Sequence, residues 1–258
     1  MEKLNNKTVF ITGATSGIGE SCAYTFAAEG CNLILCARRY ELLKEIEADL
    51  INKFNIKVYS FKLDVRNHKD VIKSIADIPD EWRKIDILIN NAGLGRNFSP
   101  LFMDNTDGWE EMIDTNVKGL LYITKEIIPL MIKHGSGHII NLGSIAGHEA
   151  YPNGAVYCGT KFAVAAITKS MRAELVDKNI RVSTVDPGAV ETNFSNIRFY
   201  GDKAKAKNVY KGIDPLTGDD IAEAILFCAT RPARVNINEM IIMPSVQASS
   251  SVIYRRPE

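Results

Sequence analysis

Neither sign of charge is in surplus. Lys and Arg together number 31, as do Asp and Glu, so no global field draws the chain to nucleic acid or to an anionic membrane, and neither partner is expected. Any anion site must be local. Cysteine is sparse and odd in number, at Cys22, Cys31, Cys36, Cys158 and Cys228 with no CxxC pair. That pattern excludes a complete disulfide framework and a zinc knuckle, and it makes a reducing cytoplasm the expected compartment. No stretch approaches about 18 uninterrupted apolar residues, and the start MEKLNNKTVF has no long apolar segment behind its charges. Neither a membrane span nor a signal peptide is expected. Repeats, low-complexity tracts and Pro/Ser-rich linkers are also missing, so the 258 residues should form one domain, residues 1–258.

What is present is alternation. Short runs rich in branched and aromatic residues, KTVFIT, NLILCA, KVYSFKL, IDILINN, GHIINLGS, IRVSTVDP and EMIIMPS, are separated by stretches of helical length at 17–30, 41–54, 109–133, 156–178 and 218–230. This order predicts an α/β fold with a parallel sheet of about seven strands and helices on both faces. The strands read as apolar runs rather than clean alternations, as expected when both sheet faces are covered. Residues 194–211 differ. They are polar, carry Arg198, Lys203, Lys205, Lys207 and Lys211, and are expected to form a loop that serves as a substrate lid.

After the first strand comes Thr12-Gly13-Ala14-Thr15-Ser16-Gly17-Ile18-Gly19 at the start of a helical pattern. A glycine-rich turn of this kind lets backbone approach a pyrophosphate, and the helix N-terminus supplies free amides and a positive dipole end. Its spacing is GxxxGxG rather than GxGxxG, and a structural turn is the competing reading. At the end of the second strand an acid would suit a ribose 2′-hydroxyl, but the chain reads Cys36-Ala37-Arg38-Arg39. A guanidinium there can hold a 2′-phosphate, which favours NADP(H) over NAD(H). Alternatively, the two arginines simply open a surface helix. Asp64-Val65 ends the third strand and Asn90-Asn91-Ala92-Gly93 the fourth, where ligands collect in open α/β sheets.

Tyr157 and Lys161 lie one helical turn apart. Unperturbed, both groups are protonated near neutrality, with pKa values of about 10 and about 10.4. A nearby cation favours phenolate and makes tyrosine a general acid for ketone reduction or a general base for alcohol oxidation. Ser144 follows the fifth strand in Asn141-Leu142-Gly143-Ser144, where its hydroxyl can hold a substrate oxygen. A serine hydrolase fits poorly, since GxSxG would need glycine at Leu142 and no His/Asp arrangement accompanies it. Asn116 sits in a helical stretch that its amide does not favour, and is read as holding a water beside Lys161 or as a satisfied buried amide. His134 and His138 are one turn apart, but Gly135 and Gly137 interrupt any helix between them, so no metal is expected.

In this order and strand context, the glycine turn, NNAG, Asn116, Ser144 and YxxxK resemble the short-chain dehydrogenase/reductase family over essentially the whole chain. The resemblance implies a single-domain, doubly wound Rossmann-type fold. It implies that Tyr157 exchanges the substrate proton, Lys161 lowers its pKa and contacts the nicotinamide ribose, Ser144 binds the substrate oxygen, and Asn116 supports a proton relay. It further implies adenine contacts from Asp64 and Val65, an adenosine side lined by Asn91, Ala92 and Gly93, and a nicotinamide approached by Pro187, Gly188, Val190 and Thr192. A homodimer or homotetramer is implied as well.

Within the family, residues 193–202 and the later Pro232-Ala233-Arg234-Val235-Asn236-Ile237-Asn238 resemble the NADP-dependent 3-hydroxy acid dehydrogenases, also described as serine or allo-threonine dehydrogenases. A small acid needs a cation at its carboxylate. Arg198 is the candidate, with Arg96 and Lys203 behind it. The alternatives are a broad carbonyl or hydroxysteroid reductase using the same residues and, from another class, a catalytically silent nucleotide-binding regulator.

Overall fold

The protein is described by a computed structural model covering residues 3–256. Its seven expected strands are all present: β1 (Thr8–Thr12), β2 (Asn32–Ala37), β3 (Val58–Lys62), β4 (Ile87–Asn90), β5 (Gly137–Leu142), β6 (Ile180–Pro187) and β7 (Glu239–Ile242). They form one sheet in the order β3-β2-β1-β4-β5-β6-β7, and every pairing is parallel. Side chains alternate across a strand, and here both faces are buried. Val9, Ile11, Leu33, Leu35, Ile87 and Ile89 pack under α1 (Gly17–Ala28), α2 (Tyr40–Phe54) and α9 (Gly218–Ala229). Phe10, Ile34, Cys36 and Leu88 face the other way, onto α3 (His68–Ala76), α5 (Leu120–His134) and α6 (Ala155–Glu174). This two-sided cover explains the unbroken apolar runs. None of the described helices is long and apolar enough to cross a membrane.

The structure departs from the sequence expectation in three places. α3, which was not singled out, has an apolar stripe of only Val71 and Ile75 and starts on Asn67, whose side chain accepts from the Asp70 amide. The helix expected over 109–133 is α4 (Thr106–Ile113) and α5 joined by a π-helical turn, Asp114–Gly119. At the end of that turn Gly119 is pressed on Val65; a Cβ there would lie 2.6 Å from the Val65 Cγ2. The expected loop over 194–211 contains α7 (Phe194–Arg198) and α8 (Lys203–Val209). These helices span too few turns for a readable apolar period; Gly201, at φ +88°, separates them, and Asp202 caps the second by accepting from the Lys205 amide.

The chain leaves β3 on one flank of β1 and re-enters as β4 on the other. Ligands of open α/β sheets bind outside the carboxyl ends of the strands at such a reversal. Thr12, Asn90 and Leu142 end their strands around this point. A buried amide chain stiffens it: Asn90 Nδ2 donates to Thr124 Oγ1 and to Asn141 Oδ1, and Asn141 Nδ2 donates to Thr168 Oγ1.

Candidate active site

A cavity of about 1180 Å³ opens at this crevice. Its wall includes Gly13, Thr15, Ser16, Gly17 and Ile18 from the glycine turn, Arg38 and Arg39 after β2, Asp64 and Val65 after β3, and Asn91, Ala92 and Gly93 after β4. Ser144, Tyr157, Lys161, Pro187, Gly188, Val190, Thr192 and Arg198 complete the predicted set. Gly19 and Asn116 stand behind the wall. A Cβ on Gly19 would lie 2.3 Å from Asn91 Nδ2 and 2.5 Å from the Gly13 carbonyl oxygen, so its glycine is demanded by packing.

The glycine turn is built to leave room for a ligand's backbone contacts. Gly13 and Gly17 have φ of +69° and +57°, a region that glycine enters without a Cβ penalty. Ser16 caps α1 without a side-chain hydrogen bond, leaving the first-turn amides for an incoming acceptor. Asn91 ties the turn to β4, its Nδ2 donating to the Thr12 and Gly13 carbonyls. The two arginines differ. Arg39 folds over the turn and donates to Thr15 Oγ1 and Ser16 Oγ at 2.9 and 2.8 Å, whereas Arg38 is half exposed and stands 3.8 Å from Glu111. The positive-φ glycine turn, the uncapped start of α1 and two guanidiniums at the cavity rim fit a dinucleotide with a 2′-phosphate.

At the other end, Tyr157 and Lys161 rise from the first turns of α6, and Ser144 follows β5 with its Oγ accepting from the Ala146 amide. Burial raises the Tyr157 phenol above its ordinary value against the opposing pull of Arg198 and of a hydrogen bond with Ser144. This qualifies the expectation that Lys161 sets the phenol. The Lys161 Nζ lies 5.9 Å from the Tyr157 ring centre and donates to the Leu142 carbonyl, while the Arg198 guanidinium lies 4.9 Å from the same ring. Burial also lowers the Lys161 ammonium to about 8, opposed by Asp186. Asn116 holds Leu94 by its amide and carbonyl at 2.8 Å each, and donates to Thr160 Oγ1 on α6. Its π-helical setting, common where function distorts a helix, thus ties the loop after β4 to the helix of Tyr157.

Several contributing residues carried no local signal. Asp186, at the end of β6, accepts from Thr184 Oγ1 and lies 3.0 Å from His148 Nε2. It presses on Gly143, where a Cβ would fall 1.6 Å from its Oδ1. Gly95 admits Arg198 in the same way, since a Cβ there would meet its Nε at 2.8 Å. Phe194 and Tyr151 flank that guanidinium, and Gln247 pins the loop after β6 by accepting from the Ala189 amide. The reserve cations are placed elsewhere: Arg96 is committed to Glu111 at 2.6 Å, and neither it nor Lys203 lines the cavity. Lys205 and Arg255 do. Among the histidines, His138 is buried and bonds Ser183 while His134 faces Asp86, and no metal-binding cluster occurs among the described residues.

The chain belongs to the short-chain dehydrogenase/reductase family: the short chain dehydrogenase family model matches residues 7–200. It is an oxidoreductase of that class. Among named proteins it is 45% identical over 257 residues to the NADP-dependent 3-hydroxy acid dehydrogenase of Schizosaccharomyces pombe, covering 99% of each chain. It is also 41% identical over 249 residues to the NADP-dependent 3-hydroxy acid dehydrogenase YdfG of Escherichia coli K12, covering 96% of this chain and 99% of that one. Among solved structures, the closed form of a serine dehydrogenase complexed with NADP+ superposes with a TM-score of 0.90 at 40% identity, over 97% of this chain and 100% of that one.

Proposed function

We propose that the protein is an NADP(H)-dependent dehydrogenase that interconverts a small 3-hydroxy acid, or hydroxy-amino acid, and the corresponding 3-oxo compound. The observation that carries the acid is Arg198. Its guanidinium lies 4.9 Å from the Tyr157 ring and hydrogen-bonds Tyr151, meets no carboxylate within salt-bridge distance among the described residues, and buries an Nε without a hydrogen-bond partner. A cation so placed is suited to a carboxylate ligand within reach of the reacting phenol. The names of the relatives support the same reading.

When bound, NADP(H) supplies the hydride acceptor or donor. Gly13, Gly17 and the start of α1 would hold its pyrophosphate, Arg38 and Arg39 its 2′-phosphate, Asp64 and Val65 its adenine, and Pro187, Gly188, Val190 and Thr192 its nicotinamide. In oxidation, Ser144 holds the substrate hydroxyl oxygen, Tyr157 in its phenolate form accepts the hydroxyl proton, and the hydrogen on the same carbon leaves with both electrons. In reduction Tyr157 returns the proton. Lys161 stabilises the charge left on the phenol, and Arg198 orients the substrate through its carboxylate.

Matched 3-hydroxy acids and secondary alcohols of the same skeleton test this. The acids should show the higher kcat/KM, and Arg198→Ala should remove about tenfold of that preference by raising KM. Equal activity on the alcohols moves the assignment to a broad carbonyl reductase. pH provides a second check. The raised Tyr157 phenol stays protonated through the neutral range, whereas Lys161 loses its charge above about 8. Reduction should therefore fall as pH rises through that value. Asp186→Asn removes the anion that supports the ammonium and should move the fall to lower pH; an unmoved profile separates Lys161 from it.

Exposed Ile113, Leu121, Ile132 and Phe162 on α4, α5 and α6 support a homodimer or homotetramer, which a single-chain mass by light scattering would refute. All five cysteines are free and buried, which suits the cytoplasm.

A further inference from the structure

We propose that Glu111 is a positioning residue that couples recognition of the cofactor's 2′-phosphate to the segment carrying Arg198. Glu111 lies on α4, and its carboxylate serves guanidiniums from two directions. Its Oε1 faces Arg66, two residues past Asp64, at 3.2 Å and Arg38, on the cavity wall, at 3.8 Å. Its Oε2 accepts from Arg96 Nε at 2.6 Å.

Arg96 then reaches the other side. Its Nη1 donates to the Ile197 carbonyl, its guanidinium stacks 4.5 Å from the Tyr200 ring centre, and the neighbouring Asn97 amide donates to the Arg198 carbonyl at 3.1 Å. Cations and donors at the last carbonyls of a helix hold that end in place, and this end of α7 presents Arg198 to Tyr157. The Arg96 hydrogen bond also holds the Glu111 carboxyl below its ordinary value despite partial burial, so the link is ionic in the neutral range.

The three cations compete for one charge. A 2′-phosphate that draws Arg38 away leaves more of the Glu111 charge to Arg96, which grips the Ile197 carbonyl more firmly. The 2′-phosphate thereby has a differential effect on two arrangements of one carboxylate, the condition for coupling between sites. The inference rests on Arg38 reading the 2′-phosphate, as proposed above. It adds that the phosphate also steadies the substrate side.

Adenosine 2′,5′-bisphosphate and AMP, each at saturation, separate the two statements without turnover. Calorimetry reads their affinities, and amide hydrogen exchange reads residues 97 and 197–201. The bisphosphate should bind more tightly than AMP and slow exchange there about fivefold relative to AMP. In Glu111→Gln that difference should vanish with exchange fast under both ligands. In Arg38→Ala it should vanish with exchange slow under both, because Glu111 is already free to serve Arg96. These opposite directions distinguish coupling from general loosening, and Arg38→Ala decides the matter if Glu111→Gln does not fold. Tighter bisphosphate binding without slowed exchange, a difference retained in Glu111→Gln, or fast exchange in Arg38→Ala overturns the coupling. Equal affinity for the two nucleotides overturns the 2′-phosphate reading and the coupling with it.

Discussion

Replacing Tyr157 by phenylalanine should lower turnover by roughly 1000-fold, the range expected when a general acid or base is removed, while NADPH binding changes little. The side chain loses only its hydroxyl. Its ring keeps the edge contact with Phe194 at 5.7 Å between centroids and the Arg198 guanidinium 4.9 Å from its centre, so the pocket should keep its shape. Single-turnover reduction and NADPH fluorescence titration, run on the same preparation with its thermal midpoint checked, separate chemistry from binding. Substantial residual turnover would remove Tyr157 from proton transfer and turn attention to Ser144, its hydrogen-bonded neighbour.

Loss of Arg38 and Arg39 together should weaken NADP(H) by about 100-fold, near 3 kcal/mol for two charge-assisted contacts, and NAD(H) by much less. The single variants refine the expectation. Among the described residues Arg38 makes no hydrogen bond to the glycine turn and stands 3.8 Å from Glu111, so Arg38→Ala should weaken NADP(H) and leave NAD(H) affinity nearly unchanged. Arg39 also holds Thr15 and Ser16, so Arg39→Ala should weaken both cofactors somewhat by loosening the turn. Dissociation constants for the four combinations check this, and equal weakening of NADP(H) and NAD(H) by the double variant would show that neither arginine reads the 2′-phosphate.

The site was legible in proportion to how local its signals are. The turn from Gly13 to Gly19, the pair Arg38-Arg39 and the one-turn spacing of Tyr157 and Lys161 each lie within a few residues, and the structure brings nearly all of them to one cavity. Gly19 and Asn116 are recognisable by position but stand behind the wall, one packed closely on Asn91 and the Gly13 carbonyl and one hydrogen-bonded to Leu94. The helices at 194–198 and 203–209 escaped because five and seven residues give no usable period. The need for glycine at position 95 was not readable, because its reason is a side chain more than a hundred positions away.

Strand count, alternation with helices and the glycine turn are written in the order of residues, because backbone periods of 2 and 3.6 and the freedom of glycine act over a few residues. Which cation faces Tyr157, and what holds the charge of Lys161, are not written there. Those depend on the reversal between β3 and β4, which brings the ends of distant strands to one crevice, and on how deeply each group is then withdrawn from water. Burial and long-range pairing place Arg198 rather than Lys161 nearer the phenol ring, set Asp186 to support the ammonium and gather three arginines around Glu111. Desolvation and Coulomb energies follow distances in space, and only the folded chain sets those.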